Sequence, residues 1–381
     1  MSSIQVFKPF YRTEEVLSEI RQCLEKSWTG IGYKTIEFEE SWKEYSGFKY
    51  CHFLNSATSG LHLAFKIFKD AYGWKDDDQV ITTSLTFVST NHAILYEKLC
   101  PVFADVDSSL CLDPKSVERM ITEKTKAVIY VGIGGNAANY DQIKQICERY
   151  NLILILDAAH MSGTRSRITG EHIGLDSDCT VFSYQAVKNC PISDAGSICF
   201  KDESFDKAAR SLSWLGIDKS TYSRFSDQSY KWRYNVENLG YKYHGNSIMA
   251  AIGLVSLKYL EADNARRREI AAMYSDSLSN FKGIEVISHD PNIVSSRHLF
   301  QIAVENRDSL IENLTTNSIY CGVHYIDNTS YPLYKHFNSD LNVSKYYSDR
   351  LLSLPLHLHL SDSDVKKIVQ SIQSAVVNNP V

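Results

Sequence analysis

Between residues 50 and 200, short apolar runs alternate with stretches whose apolar positions recur every three to four residues. The runs are Cys51–Leu54, Val80–Thr83, Pro101–Ala104, Ala127–Val131, Leu152–Leu156, Thr180–Phe182 and Ser197–Phe200. Amphipathic stretches such as Gly60–Lys69 and Tyr140–Tyr150 lie between several of them. Runs that are apolar throughout, separated by helical patterns, predict buried and mostly parallel strands with helices on both faces, an α/β domain. Ser247 to Leu278 reads as one long helix carrying Arg266, Arg267 and Arg268. After Gly283 a shorter α+β pattern follows, with Val323–Tyr325 as a strand and Ser361–Val377 as the last helix. Ser361 and Asp364 are spaced as a capping box for that helix. A chain of 381 residues with this change of pattern predicts a large domain and a smaller one.

Charge narrows the partners. Lys and Arg number 40 against 45 Asp and Glu, a net charge of −5, and there is no basic arm. A nucleic-acid binder would carry such an arm or patch, so none is expected as a partner. A local site can still be positive and take an anionic substrate. The first nine residues lack an apolar signal core, and no stretch approaches the ~18 apolar residues that span a bilayer, so we expect a cytoplasmic protein without membrane contact. Nine cysteines without a C-x-x-C pair suit reduced thiols in that compartment and argue against a metal site.

Three elements carry chemistry. Asp157 ends the run Leu152–Leu156, and the carboxyl ends of parallel strands form the ligand crevice of an open sheet. Small Ala158 and Ala159 after it leave room for a flat ring, although an Asp here also reads as a plain helix cap. Lys188 follows Thr180–Phe182 in a segment with no other charge from Thr180 to Ser193. Most lysines are solvated surface charges, but one drawn out of water becomes a neutral, nucleophilic amine that can condense with an aldehyde. Asp157 and Lys188 are 31 residues apart (188 − 157), room for one excursion and one strand, so both can reach one crevice. The third element, Asn55–Gly60, joins a strand to a helix with small and hydroxyl residues, whose backbone N–H groups suit a phosphate. Ser183 is a second hydroxyl for the same anion.

With these elements in order, the sequence resembles the DegT/DnrJ/EryC1/StrS family of sugar aminotransferases, which depend on pyridoxal 5′-phosphate (PLP). Ser27–Gly32 and Phe38-Glu39 match its entry segment; Asn55–Leu61 matches its phosphate turn, with Ala57 where glycine is usual. Thr86-Phe87, Asp157-Ala158-Ala159-His160, and Phe182-Ser183-Tyr184 through Lys188-Asn189 follow in register. So do Leu239–Tyr243, Ala250–Gly253, Arg266–Ile270, Gly322–Tyr325 and Leu354–His357. The resemblance implies the aspartate-aminotransferase fold, PLP-dependent transferase fold type I, and a homodimer with sites at the subunit interface. It implies an N-terminal arm over residues 1–34, a large PLP-binding domain over 35–250 and a small α+β domain over 251–381.

Carried over by position, Lys188 and Asp157 are the catalytic pair: Lys188 binds the cofactor and carries a proton, and Asp157 holds the ring nitrogen. Phe87 stacks on the ring, and His160 lies near its phenolic oxygen. Ala57, Thr58 and Ser183 bind the phosphate. Trp28, Gly30, His324 and Tyr325 fall where the family binds substrate. Lys242 stands where an asparagine commonly reaches from the partner subunit, and a lysine there meets the phosphate as a point charge. Ala195-Gly196 replaces a pair of glycines, His244-Gly245-Asn246 departs from the common pattern, and Gly134-Gly135-Asn136 fills a loop where a shorter polar turn is usual.

The implied reaction moves an amino group from an amino acid, L-glutamate in most relatives, onto a keto group of a nucleotide-linked sugar. The product is an amino sugar for a surface polysaccharide or glycoconjugate. A dehydratase variant of the family has histidine at the lysine position; Lys188 favours transamination. A regulator that merely binds PLP or a nucleotide sugar would have no use for the Asp157–Lys188 pair. A desulfurase of the same fold would want a mobile catalytic cysteine, and no cysteine here has such a loop context.

Overall fold

A computed structural model describes residues 3–218, 234–337 and 340–378. Seven of the apolar runs form one sheet: β1 (Tyr50–Leu54), β2 (Gln79–Thr83), β3 (Cys100–Ala104), β4 (Thr125–Val131), β5 (Ile153–Asp157), β6 (Cys179–Ser183) and β7 (Gly196–Phe200). Their order is β1-β7-β6-β5-β4-β2-β3, and only β7 runs against its neighbours. Successive side chains of a strand face opposite ways. Val80, Ile129, Ile155 and Val181 therefore enter one core, while Ile81, Val128, Leu156 and Phe182 enter the core on the other side. That double burial is why these strands lack a polar face.

Helices close both cores. Beginning at the N-terminus, α1 (Thr13–Glu25) and α2 (Tyr33–Ser46) pack on the long helix α4 described below. On the other face, α3 (Ala57–Tyr72) buries Leu61, Phe65 and Phe68. Ser56 caps it by accepting from Ser59 N–H at 3.1 Å, and Gly73 ends it in the left-handed conformation. The helix α4 (Ser247–Leu278) starts at Asn246, whose side chain accepts from Met249 N–H at 3.0 Å. It runs without a break across residues 250 and 251, where the resemblance placed a domain boundary. Its first half adds Ala250, Leu257 and Leu260 to the large core, and its second half adds Ile270, Tyr274 and Leu278 to a smaller one.

That smaller core packs α4 and the last helix, α5 (Asp362–Asn378), on an antiparallel sheet of Glu285–Val286, Phe300–Ala303 and Leu351–Leu354. Ser361 and Asp364 form the expected capping box: Ser361 N–H donates to Asp364 Oδ2 at 3.0 Å and Asp364 N–H to Ser361 Oγ at 3.2 Å. Ile4 of the N-terminal arm joins the same core. Val323–Tyr325 is not a strand. Only Gly322 bridges to Ser353, and His324 O accepts from the Gln301 side chain instead of a neighbouring strand. The segment carries no regular structure, and its His324 and Tyr325 face a cavity.

One buried ion cluster ties α2 to β1 and to the helix Glu203–Ser213. Glu39 accepts from His52 Nδ1 (3.0 Å), Phe53 N–H (2.8 Å) and Arg210 Nη1 (2.9 Å). Burial alone would raise its pKa, but Arg210, His52 and the Phe53 N–H together hold it down at about 2. A carboxyl with a lower pKa folded than unfolded adds stability above the unfolded value, and that stability is lost as pH falls through the folded one. Glu39→Gln should therefore cost about 3 kcal/mol near pH 7, the scale of a broken buried pair. It should also flatten the loss of stability between roughly pH 4.5 and 2. Urea unfolding across that pH range measures both; parallel curves for variant and wild type would refute the assignment.

Candidate active site

Six strands of the large sheet end at one edge, and β7 begins there. The chain ends gathered at this edge enclose a cavity of about 450 Å³. Its wall includes Ala57, Thr58, Phe87, Asp157, His160, Ser183, Lys188, His324 and Tyr325, nine of the residues that the sequence singles out. Trp28, Gly30 and Lys242 do not line it. The Trp28 Nε1–H donates to Ile31 O, Gly30 O accepts from Ser247 at the start of α4, and Lys242 Nζ sits 3.4 Å from the centre of the Trp214 ring.

Asp157 is buried where β5 ends. Its Oδ2 accepts from Thr90 Oγ1 at 2.7 Å and its Oδ1 from Ala159 N–H at 3.1 Å. Burial raises its pKa, against the pull of Thr90, Ala159 and Lys188. Among the described residues no cation forms an ion pair with it. Phe87 stands half-exposed at the start of the helix that carries Thr90, and its ring lies 5.9 Å from that of Tyr325.

At the other side of the cavity, the first turn of α3 presents Ala57 and Thr58 beside Ser183. Gly196 makes the close approach possible: a Cβ there would lie 2.5 Å from Ala57 N. Free N–H groups at a helix start and a serine hydroxyl form an anion site.

His160 is held by two partners. Gly134, at φ +63°, aims its N–H at His160 Nδ1 (3.1 Å), and the Tyr325 hydroxyl lies 3.2 Å from Nε2. An Nδ1 that accepts puts the ring proton on Nε2, so His160 donates to the tyrosine oxygen. The tyrosine proton is then directed elsewhere, and the cavity is beside it. Burial, then the nearby Lys188 and His324, keep the His160 pKa well below the usual value. The unusual Gly134-Gly135 loop thus has a role: it fixes this imidazole.

The sequence reading missed Thr90, Phe7 and His298. Thr90 lies one helical turn past Thr86, and that spacing was its only signal. Phe7 comes from the N-terminal arm and His298 from the smaller unit, so neither carries a local pattern pointing here.

These groups fit PLP. A buried carboxylate suits a cationic ring nitrogen, a helix start suits a phosphate, and a lysine amine and an aromatic ring line the same cavity. Burial lowers the Lys188 pKa to about 8, against the raising effect of Asp157. An amine with a lower pKa folded than unfolded costs stability below the folded value, and the cost fades as pH rises to the unfolded one. In cofactor-free protein, acetylation of Lys188 should therefore rise with a midpoint near pH 8, followed by peptide mass mapping. Lys188→Met should remove the part of the stability rise that falls between about pH 8 and 10.4. A midpoint near that of surface lysines would contradict the burial argument.

Comparison with known proteins agrees with this geometry. The chain is 34% identical over 376 residues to the spore coat polysaccharide biosynthesis protein SpsC of Bacillus subtilis, covering 95% of each. It is 32% identical over 389 residues to an uncharacterised protein of Methanocaldococcus jannaschii, covering 99% of each. The aminotransferase TlmJ from Streptoalloteichus hindustanus superposes with a TM-score of 0.90 at 28% identity, over 98% of this chain and 99% of that one. Spr1654 from Streptococcus pneumoniae, solved in its PMP form, gives 0.89 at 28%, over 98% and 99%. Residues 11–373 match the family model, and the chain belongs to the DegT/DnrJ/EryC1/StrS aminotransferase family of PLP-dependent enzymes.

Proposed function

We propose that this protein transfers an amino group from an amino acid, L-glutamate in the first instance, to a keto group on a nucleotide-linked sugar. The single observation that carries transamination is the Lys188 amine in the cavity opposite buried Asp157. The sugar rests on the likeness to SpsC, a polysaccharide biosynthesis protein, and to solved sugar aminotransferases. The product would serve a surface polysaccharide or glycoconjugate made from the cytoplasm. Among the described residues no helix is long and apolar enough to cross a membrane.

Bound in the cavity, PLP supplies an electron sink that lets an amino group leave one carbon and join another. This chain's residues do the rest. Asp157 would hold the ring nitrogen protonated, and Ala57, Thr58 and Ser183 would hold the phosphate. Phe87 would cover the ring, with His160 and Tyr325 on the cavity wall to meet its oxygen. Lys188 takes a proton from the donor α-carbon and returns it to the cofactor side, general acid/base work suited to an amine with a pKa of about 8. His324 and Tyr325, which line the same cavity, would contact the acceptor.

Two experiments test the reading. Glutamate should bleach the visible colour of the bound cofactor, and a nucleotide-linked keto-hexose should restore it. Unchanged colour with glutamate would remove that donor; restoration as fast by a small keto acid alone would remove the nucleotide sugar. Borohydride reduction and peptide mapping should tag Lys188, and Lys188→Ala should fold yet lose turnover by about 1,000-fold or more.

We further propose a homodimer in which Trp28, Gly30 and Lys242, which do not line their own cavity, complete the partner's. A Lys188→Ala chain mixed with a Lys242→Ala chain leaves one site intact and the other doubly damaged. Activity above both impaired parents is expected. Hybrids that form without regaining activity would return Lys242 to its own subunit.

A further inference from the structure

Three buried side chains behind Lys188, those of Asn264, Asn189 and His298, form a chain whose hydrogen-bond direction can be worked out from its ends. Asn264 Nδ2 lies 2.9 Å from Ser162 O, and a backbone carbonyl only accepts. That end of the Asn264 amide is therefore the NH₂, and its Oδ1 accepts from Asn189 Nδ2 at 2.7 Å. Asn189 Nδ2 also donates to Ser296 O at 2.7 Å, which fixes the second amide independently. Asn189 Oδ1 is then an acceptor, and it lies 2.9 Å from His298 Nδ1. His298 must carry its proton on Nδ1. Its Nε2 is bare, and it faces the Lys188 amine at 3.5 Å, at the long end for a hydrogen bond.

The ring has little freedom to do otherwise. It stacks on Phe7 at 5.5 Å with an 8° tilt and lies 4.3 Å from His160, both centre to centre. The four hydrogen bonds that link His298, Asn189, Asn264 and the two serine carbonyls are buried, so breaking one leaves an unsatisfied group away from water. His160 beside it is the opposite tautomer, with its proton on Nε2, because Gly134 N–H occupies its Nδ1. The two adjacent imidazoles thus have different tasks: one gives a proton toward Tyr325 and the other receives one from Lys188.

We propose that His298 is a positioning residue for Lys188: two buried asparagines hold it as the Nδ1–H tautomer, and its bare Nε2 accepts from the lysine amine and aims that amine into the cavity. This rests on Lys188 being the lysine that binds the cofactor and moves the proton. When the amine is free of the cofactor, it needs a fixed direction, and as an ammonium it needs an acceptor inside an apolar wall. His298 meets both needs without taking the proton away, because burial and the neighbouring His160, Lys188, Arg267 and His324 hold its pKa well below the usual value. The other ionisable groups on the cavity wall are Asp157, Asp194 and Tyr325.

The test separates the two ring nitrogens. In ¹⁵N-histidine spectra of the wild-type chain, His298 should show a protonated Nδ1 and a bare Nε2 through the pH range where the fold persists. His298→Gln places a carbonyl near the Nε2 position and so keeps an acceptor for Lys188; His298→Asn keeps a donor to Asn189 only. In cofactor-free protein, the pH midpoint for acetylation of Lys188 should stay near 8 in wild type and His298→Gln. It should fall by about one unit in His298→Asn, because losing an acceptor disfavours the ammonium. In the loaded enzyme, His298→Asn should lower kcat on the order of 10- to 100-fold, with the donor KM within about twofold, and His298→Gln should recover most of that. A residue that merely braces the asparagines would give the reverse order of the two variants. A protonated Nε2, equal midpoints in all three proteins, or that reverse order overturns the proposal alone. A wild-type enzyme that takes no borohydride label at Lys188 overturns the underlying reading as well.

Discussion

Asp157 is taken out of water at the end of β5 with two hydrogen-bond donors and, among the described residues, no cation paired to it. An ionised carboxylate in that position is expensive unless something positive completes it. The surrounding structure makes sense as the means of holding that charge in place. Thr90 reaches it from the helix after β2, and Lys188 enters from beyond β6 to favour its charged form. A cationic ring nitrogen held beside Asp157 would offset that cost, and the burial would then favour cofactor binding. The same exclusion of water brings the lysine amine near neutrality and lets histidines act as fixed neutral donors or acceptors.

The sheet was legible because each strand is buried on both faces. Such strands read as unbroken apolar runs, and the seven runs lie within one or two residues of the observed strands. Asp157 and Lys188 each have an ordinary structural reading alone, and they were singled out by the strand end at Asp157, the uncharged segment around Lys188 and their place in the family's register. The same logic failed at Val323–Tyr325, an apolar and aromatic triplet whose backbone has no neighbouring strand to pair with along its length. It failed too for Thr90, Asn189, Asn264 and His298. Thr90 meets Asp157, and Asn189, Asn264 and His298 meet one another, only after folding has brought distant regions of the chain together, and buried amides leave no periodic trace. Lys242 was visible only as a departure from a family pattern, and its position over Trp214 does not follow from the local sequence.

The smaller unit contributes more than a cover. Asn328 accepts from Asn91 at 2.9 Å and donates to Thr86 O at 2.8 Å, while Asn91 donates to Thr83 O at 3.1 Å. These bonds join the loop after Tyr325 to the turn that carries Phe87 and the helix that carries Thr90. The aromatic ring over the cavity and the threonine on Asp157 are therefore braced by residues about 240 positions away in sequence (328 − 91 = 237). Buried polar contacts of this kind fix one arrangement because every alternative leaves a group unsatisfied.

The long helix Ser247–Leu278 has a mechanical consequence. At ~1.5 Å per residue its 32 residues form a beam about 48 Å long, with one end cast into each core. Two bodies joined by a loop can swing about it, whereas two bodies sharing a beam can rotate only by bending it. Bending an unbroken helix sharply requires a proline, an inserted water or a bulge, and the span contains no proline. Any substrate must then meet two cores whose mutual orientation is set by one continuous helix.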